Sequence, residues 1–446
     1  MADPDRMRVF PSAAAPAGEL TVPGDKSVSH RAAMLAALAD GTSILGNFLV
    51  SEDCLNTLHA VETLGAEVAR QGTDVKISGL GGRFRAPLRE LDMGNSGTGL
   101  RLLAGLLAGH PFVSTLTGDA SLRSRPMRRI ADPLAQMGCE AELLGENGCA
   151  PLRLRGGALR GIWYRLPMAS AQVKSCVLLA GLYARGVTTA IEPLPTRDHT
   201  EIVLRRMGVP VETDGLRVSV EGSAGEPLAL RCVQGIVPGD FSSAAFWIAG
   251  AAARPGAELT IRNVGLNPRR TALLDFLKRM GADIAVRPAP EPAEGEHGPW
   301  EPAGDIVVRG RALEGTETGG EEIPNLIDEL PIVGVLGALA KGRTVIRDAA
   351  ELRAKESDRI ATLARGLTAF GVRVEEQPDG LTIHGGGRIR GGCEADSCGD
   401  HRIAMAMAIL ALFADQPVTI ANVACIATSY PGFRDAFAAL GGHTEP

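Results

Sequence analysis

Two α/β domains, each built from three copies of one α/β unit, are what this sequence predicts. Three observations carry the expectation. The chain has 446 residues, beyond the size at which one hydrophobic core keeps growing. A helix-ending glycine phrase recurs around Gly65, Gly138, Gly208, Gly281, Gly371 and Gly441, at spacings of 73, 70, 73, 90 and 70 residues. Helices of small apolar residues start near positions 27, 97, 170, 242, 328 and 400, in step with it. A fixed period of this kind marks a repeat architecture.

Each unit reads in the same order. The apolar helix comes first and is hydrophobic nearly all round, as in MLAALAD, LRLLAGLLAG and AMAMAILALFA, so it should be buried rather than amphipathic. A β-branched strand follows; TSILGNF, VTTAIEP, ELTIRNV, RTVIRDA and PVTIANV are the candidates. A second, amphipathic helix then ends at the glycine phrase, as in VETLGAEV and LLDFLKRMGADI, where glycine supplies the C′ position at positive φ. The long spacing holds APEPAEGEHGPWEPAGD, read as a Pro/Glu-rich surface insertion. VPGD occurs twice, at Val22–Asp25 and Val237–Asp240, ahead of the first and fourth apolar helices. These copies are taken as the joints between domains. Residues 1–22 with 239–446 form one domain and 23–238 the other, with hinges near 22–24 and 237–239. The N-terminal strand MRVFPSA then pairs with the second half of the chain.

Composition narrows the function. A net charge of -6 argues against nucleic-acid and anionic-membrane partners, and 4% aromatics argue against single-strand binding by base stacking. Any anion has to be held by a local cluster of cations. The eight cysteines form no CxxC pair and no zinc spacing with histidine, so free thiols in a reducing cytosol are expected. The opening MADPDRMRVF lacks the apolar core of a secretory signal, and no apolar run is long enough to span a bilayer. A cytoplasmic protein is the expectation.

The chemistry gathers where the apolar helices begin: GDKSVSHR, GNSGTGLR, SAQVKS, GDFSS, LIDELP and GDHR. Helix N-termini present unpaired N–H groups and favour anions, although Ser, Asp and Asn there are also ordinary caps. GDFSS reads as such a cap. The others add charge that capping does not require: Lys26, Arg31, Arg101, Lys174, Asp328, Glu329, His401 and Arg402. GDKS lacks the Gly-Lys pair of a Walker loop, and GNSGTG has the wrong order for a dinucleotide fingerprint, but Gly97 and Gly99 would let a ligand approach the backbone. SLRSRPMRR (Ser121 to Arg129) concentrates four arginines. ELRAKESDRI (Glu351 to Ile360) is expected to put Lys355, Glu356 and Arg359 on one helical turn.

Taken in order, GDKSVSHRA, GNSGTGLR, RSRPM, SAQVKS, LIDELP, LRAKESDR and GDHRIAMA resemble the 5-enolpyruvylshikimate-3-phosphate synthase family across nearly the whole chain. The resemblance implies a two-domain inside-out α/β barrel fold of the enolpyruvyl transferase type, with substrates in the cleft between domains. It implies transfer of the enolpyruvyl group of phosphoenolpyruvate to the 5-hydroxyl of 3-phosphoshikimate, releasing phosphate, in a monomer that needs no cofactor and no metal. By motif, Lys26, Ser27, Arg31, Ser170, Ala171, Gln172, Arg197, Asp328 and Lys355 should bind 3-phosphoshikimate. Lys26, Asn95, Gly97, Arg125, Gln172, Glu356, Arg359, His401 and Arg402 should bind phosphoenolpyruvate. Asp328 is the expected base at the 5-hydroxyl, Glu356 the acid at the enol methylene, and Lys26 the catalytic cation touching both substrates.

SAQ in place of the more familiar SSQ, Arg197, and Thr428 where many relatives carry lysine resemble the family's second sequence branch. Gly97 is where some herbicide-tolerant relatives carry alanine, so sensitivity to glyphosate is expected. The sister transferase acting on UDP-N-acetylglucosamine usually carries a reactive cysteine ahead of the Arg125-Pro126 equivalent, and GDASLRSRP has none. An RNA 3′-phosphate cyclase would need fewer repeats and a nucleotide-accepting histidine. A non-catalytic repeat scaffold would leave the charged helix starts unexplained.

Overall fold

A computed structural model describes residues 5–290 and 298–445. The chain divides into two compact units. One, here the N-unit, is Gly24–Pro238 with Glu291–Glu301; the other, the C-unit, is Met1–Pro23, Gly239–Pro290 and Pro302–Pro446.

The N-unit contains six long helices: α1 (Lys26–Ala36), α2 (Glu52–Thr63), α3 (Gly97–Leu107), α4 (Arg128–Met137), α5 (Ala171–Gly181) and α6 (His199–Arg206). The C-unit repeats the set with α7 (Phe241–Ala252), α8 (Ala272–Arg279), α9 (Leu330–Leu339), α10 (Arg359–Ala369), α11 (His401–Ala411) and α12 (Phe433–Ala439). The odd-numbered helices are the small-residue ones. All residues of α7 and α11 are buried; in the C-unit the three odd helices pack on one another, and in the N-unit α3 packs on both α1 and α5. A helix apolar on every side has no face to offer solvent, so sheets must surround it. The even helices end where the periodicity predicts: Gly65, Gly138, Gly208, Gly281, Gly371 and Gly441 all have positive φ.

Six four-stranded sheets lie outside these helices, three per unit. All share one pattern: a leading strand parallel to the second, then two antiparallel pairings. Leu91–Asp92, Val113–Thr117, Leu152–Arg155 and Glu140–Leu143 show it in spatial order. In the last sheet Arg6–Phe10 takes the third place, between Val418–Ala421 and His443–Glu445. The repeat is therefore circularly permuted: the strand that would follow the C-terminus stands at the start of the chain. Likewise Gln234–Ile236 leads the sheet of the first repeat and Ala17–Thr21 that of the fourth.

The VPGD copies are packed tightly. Asp25 N donates to Pro238 O and Asp240 N to Pro23 O, each at 2.8 Å. A Cβ on Gly24 would lie 2.0 Å from the Asn47 carbonyl oxygen, so only glycine fits. Asp25 and Asp240 cap α1 and α7 through Val28 N and Ser243 N. Phe241, which stands where the first copy has Lys26, is fully buried in the C-unit core.

Two expectations need correction. The insertion is not all surface: residues 291–297 lie outside those described, but Trp300 is 1% exposed within the N-unit core. Lys355 and Glu356 are not on a helical turn. Ala350–Ala354 form a short 3₁₀ segment, and α10 begins only at Arg359 because Asp358 caps it through Ala361 N.

Candidate active site

In the N-unit the charged residues cluster at the starts of α1, α3, α5 and α6. Lys26 opens α1 and donates to Asp53 at 3.0 Å, both side chains largely buried. Ser96 caps α3 through Gly99 N, and buried His30 holds that cap, its Nε2 3.2 Å from Ser96 Oγ and its Nδ1 2.7 Å from Thr57 Oγ1. Burial, then Lys26 and Arg31, keep the His30 imidazole well below its ordinary range, so it is the neutral ring that braces the loop.

Asn95 and Arg125 meet at 2.7 Å. Gln172 is fixed from both ends, accepting from Arg101 at 2.6 Å and donating to Thr98 at 2.9 Å. Gly97 faces the arginines directly: a Cβ there would lie 3.0 Å from Arg101 Nη1 and 3.2 Å from Arg125 Nη1. Ser170 caps α5, followed by half-buried Ala171.

Arg31 stands beside Ser27 and is held by its neighbours. It is 4% exposed and donates to Thr200 Oγ1 at 2.7 Å, Ser27 O at 2.9 Å and Ser175 Oγ at 3.0 Å. It ties α1, α5 and α6 together. Burial pushes its pKa down to about 10 against the opposing pull of Glu201, Asp25 and Glu301. Lys174 is enclosed by carboxylates. Fully buried, it sits 3.1 Å from Glu192 and 2.7 Å from Glu201, anchoring the two sides of the loop that carries half-buried Arg197.

Asp25, His199 and Glu301 offer metal-type donor atoms within 4.8 Å of one another. Asp25 Oδ1 is already engaged in capping α1, His199 Nε2 lies at ion-pair distance, 3.4 Å, from Glu301, and Arg31 feels both carboxylates. With the charge of both carboxylates already serving Arg31, the group fits a buried charge cluster better than a dication site.

The C-unit carries a second cluster. Asp328 lies in the turn between the short helix Ile323–Leu326 and α9, not on α9 itself. Three guanidiniums surround its carboxylate: Arg270 and Arg359 at 3.5 Å and Arg402 at 3.6 Å. Arg359 is 1% exposed. It binds Asp400 at 2.7 Å and Glu356 at 2.5 Å, while its Nη1 makes no hydrogen bond. Burial alone would lower its pKa, but Asp400, Glu356 and Asp328 together raise it above the usual guanidinium value. Asp400 also caps α11 through Arg402 N. His401 stands 3.5 Å from Thr428, and Lys355 reaches Glu351 at 3.4 Å. Arg270 and Asp400 are the residues that motif reading missed: Arg270 sits in NPRRT, outside the helix-start pattern, and Asp400 was in plain view inside GDHR. Glu329, singled out only as charge at a helix start, lies 3.9 Å from Arg270 and 3.8 Å from Arg402.

Buried small-residue helices inside six mixed four-stranded sheets, with cations and carboxylates at the helix starts, define an enolpyruvyl transferase. At the level of fold the chain is similar to the enolpyruvyl transferase NikO of Streptomyces tendae, with TM-score 0.81 and 20% identity over 99% of this chain and 98% of that one. A closer match is EPSP synthase from Acinetobacter baumannii, with TM-score 0.85 and 43% identity over 99% of this chain and all of that one. The family model for EPSP synthase (3-phosphoshikimate 1-carboxyvinyltransferase) matches residues 13–437. Relatives of that name include the Akkermansia muciniphila protein, 53% identical over 94% of this chain and 96% of its own length. The Bacillus licheniformis protein is 45% identical over 93% and 95% respectively. The chain belongs to the EPSP synthase family and is a transferase of the shikimate pathway. No helix among the described residues is long and apolar enough to cross a membrane.

Proposed function

We propose that the two clusters act on one pair of substrates, phosphoenolpyruvate and 3-phosphoshikimate. The enolpyruvyl group passes to the 5-hydroxyl and phosphate leaves. The observation that carries the reading is the carboxylate of Asp328 held by Arg270, Arg359 and Arg402, with Glu356 on another nitrogen of the same Arg359 guanidinium. The reaction needs one group to take the hydroxyl proton and another to protonate the methylene carbon. Asp328 is assigned the first task and Glu356 the second. The substrates bring about six negative charges together, and two like charges roughly 5 Å apart repel by about 3 kcal/mol at an effective dielectric near 20. Lys26, Arg125, Arg197, Lys355, Arg359 and Arg402 answer that repulsion. Fixed cations also stabilise the departing phosphate without reorganising. Arg31 is assigned to 3-phosphoshikimate beside Ser27, and it also holds Ser27 and the start of α6 in place.

In this reading Asn95, Gly97, Arg125, Gln172 and His401 frame phosphoenolpyruvate, and Ser27, Ser170, Ala171, Gln172 and Arg197 frame 3-phosphoshikimate. Arg197 and the Ser170-Ala171-Gln172 run support the second-branch assignment. One chain supplies every role, which supports a monomer, and eight free cysteines fit a cytoplasmic enzyme.

The test is phosphate release from phosphoenolpyruvate that depends on 3-phosphoshikimate. Asp328→Ala should lose about 100-fold or more in kcat while KM for either substrate changes by less than about tenfold. Wild-type turnover in that variant rejects the base assignment. Release with UDP-N-acetylglucosamine and not with 3-phosphoshikimate rejects the substrate pair. Glyphosate should compete with phosphoenolpyruvate, and Gly97→Ala should weaken that inhibition by crowding Arg101 and Arg125. Equal inhibition of both forms counts against the Gly97 assignment.

A further inference from the structure

The insertion in the fourth repeat returns to the N-unit as a strap along α6. Gly298 O accepts from Ile236 N at 3.2 Å, and Trp300 N donates to Ile236 O at 3.1 Å. Arg206, the last residue of α6, donates to Pro299 O at 2.5 Å and Gly298 O at 3.0 Å. Its guanidinium also lies 5.4 Å over the Trp300 ring. At the other end of the helix, Glu301 meets His199, the first residue of α6, at 3.4 Å, both side chains at most 2% exposed. The dimensions agree: four extended residues reach about 13 Å and an eight-residue helix is about 12 Å long.

The end of α6 that Glu301 holds matters most to binding. Arg197 lies two residues before it, and Thr200 in its first turn receives Arg31. Glu301 is also among the carboxylates whose charge supports buried Arg31. A strap needed only for rigidity would be complete with Trp300 and its main-chain bonds. A buried carboxylate is costly unless its charge is used, and here it faces His199 and supports the charge of buried Arg31.

We propose that Glu301 is a positioning residue for 3-phosphoshikimate, setting Arg197 and Arg31 through the start of α6. The proposal rests on the assignment of Arg197 to that substrate. Glu301→Gln in the full chain should raise KM for 3-phosphoshikimate about fivefold or more. KM for phosphoenolpyruvate and kcat should stay within about twofold. Glu301→Asp, which restores the charge, should recover part of the loss. Trp300→Phe should lower Tm without moving that KM. The proposal is overturned if Glu301→Gln leaves KM for 3-phosphoshikimate unchanged, if it shifts both KM values and kcat alike, or if Trp300→Phe reproduces its effect. Arg197→Ala separates the two levels. If it leaves KM unchanged, the Arg197 assignment falls and the positioning role with it; if it raises KM while Glu301→Gln does not, only the positioning role falls.

Discussion

Lys174 shows how a single residue can change meaning between sequence and structure. In SAQVKS it is a cation at a helix start in an acidic protein, which suggests anion binding. In the structure Glu192 and Glu201 enclose it with no exposure to solvent, and Glu192 also accepts from Thr196 N at 3.1 Å. Removing the lysine strands two buried carboxylates, and breaking a buried pair in this way costs about 3–5 kcal/mol. Lys174→Met should therefore lower the denaturant midpoint by that equivalent and impair 3-phosphoshikimate binding through Arg197. An unchanged midpoint would show that the triad contributes no net stability. Motif reading found Lys174 but could not see its role, because its partners lie 18 and 27 positions away in sequence. Arg359 is the opposite case. LRAKESDR pointed to it directly, and three carboxylates hold its guanidinium in place.

At the scale of elements, the period was legible because a fully buried helix needs small apolar residues on every side. The amphipathic helix after it needs a glycine to stop. What stayed hidden was the permutation of the last sheet, since strand order depends on pairing at a distance. The insertion was misread for a related reason: Pro and Glu suggest surface, while Trp300 buries its described end. The turn that follows α3 carries its own test. His110 accepts from Phe84 N at 2.9 Å and its Nδ1 lies 3.0 Å from Leu106 O, among Phe84, Phe112 and Tyr183. Burial pushes its pKa down to about 4, against about 6.5 for an unfolded histidine. Between those values the unfolded chain binds the extra proton, so stability is whole above about pH 6.5 and falls as pH drops toward 4. The loss from His110 is on the order of 3 kcal/mol. His110→Gln should flatten the fall in Tm between pH 7 and pH 5; a slope identical to wild type would assign it to other groups, His30 first.

For the whole molecule, the arrangement of charge over the chain makes the final prediction. The N-unit holds Lys26, Arg125, Gln172 and Arg197; the C-unit holds Asp328, Glu356, Arg359 and Arg402. Each unit has its own hydrophobic core. The proposed reaction needs both, because the acid and base belong to one unit and most of the cations framing 3-phosphoshikimate belong to the other. Ligands that bind only the folded chain raise its stability by mass action, so the two substrates give a measurable sign of joint binding. Calorimetric melting of the Asp328→Ala variant, which should bind without turning over, can follow it. Saturating phosphoenolpyruvate and 3-phosphoshikimate together should raise Tm by more than either alone. A Tm unmoved by the pair, at concentrations that sustain wild-type turnover, would mean that residues of the two units do not serve one pair of substrates.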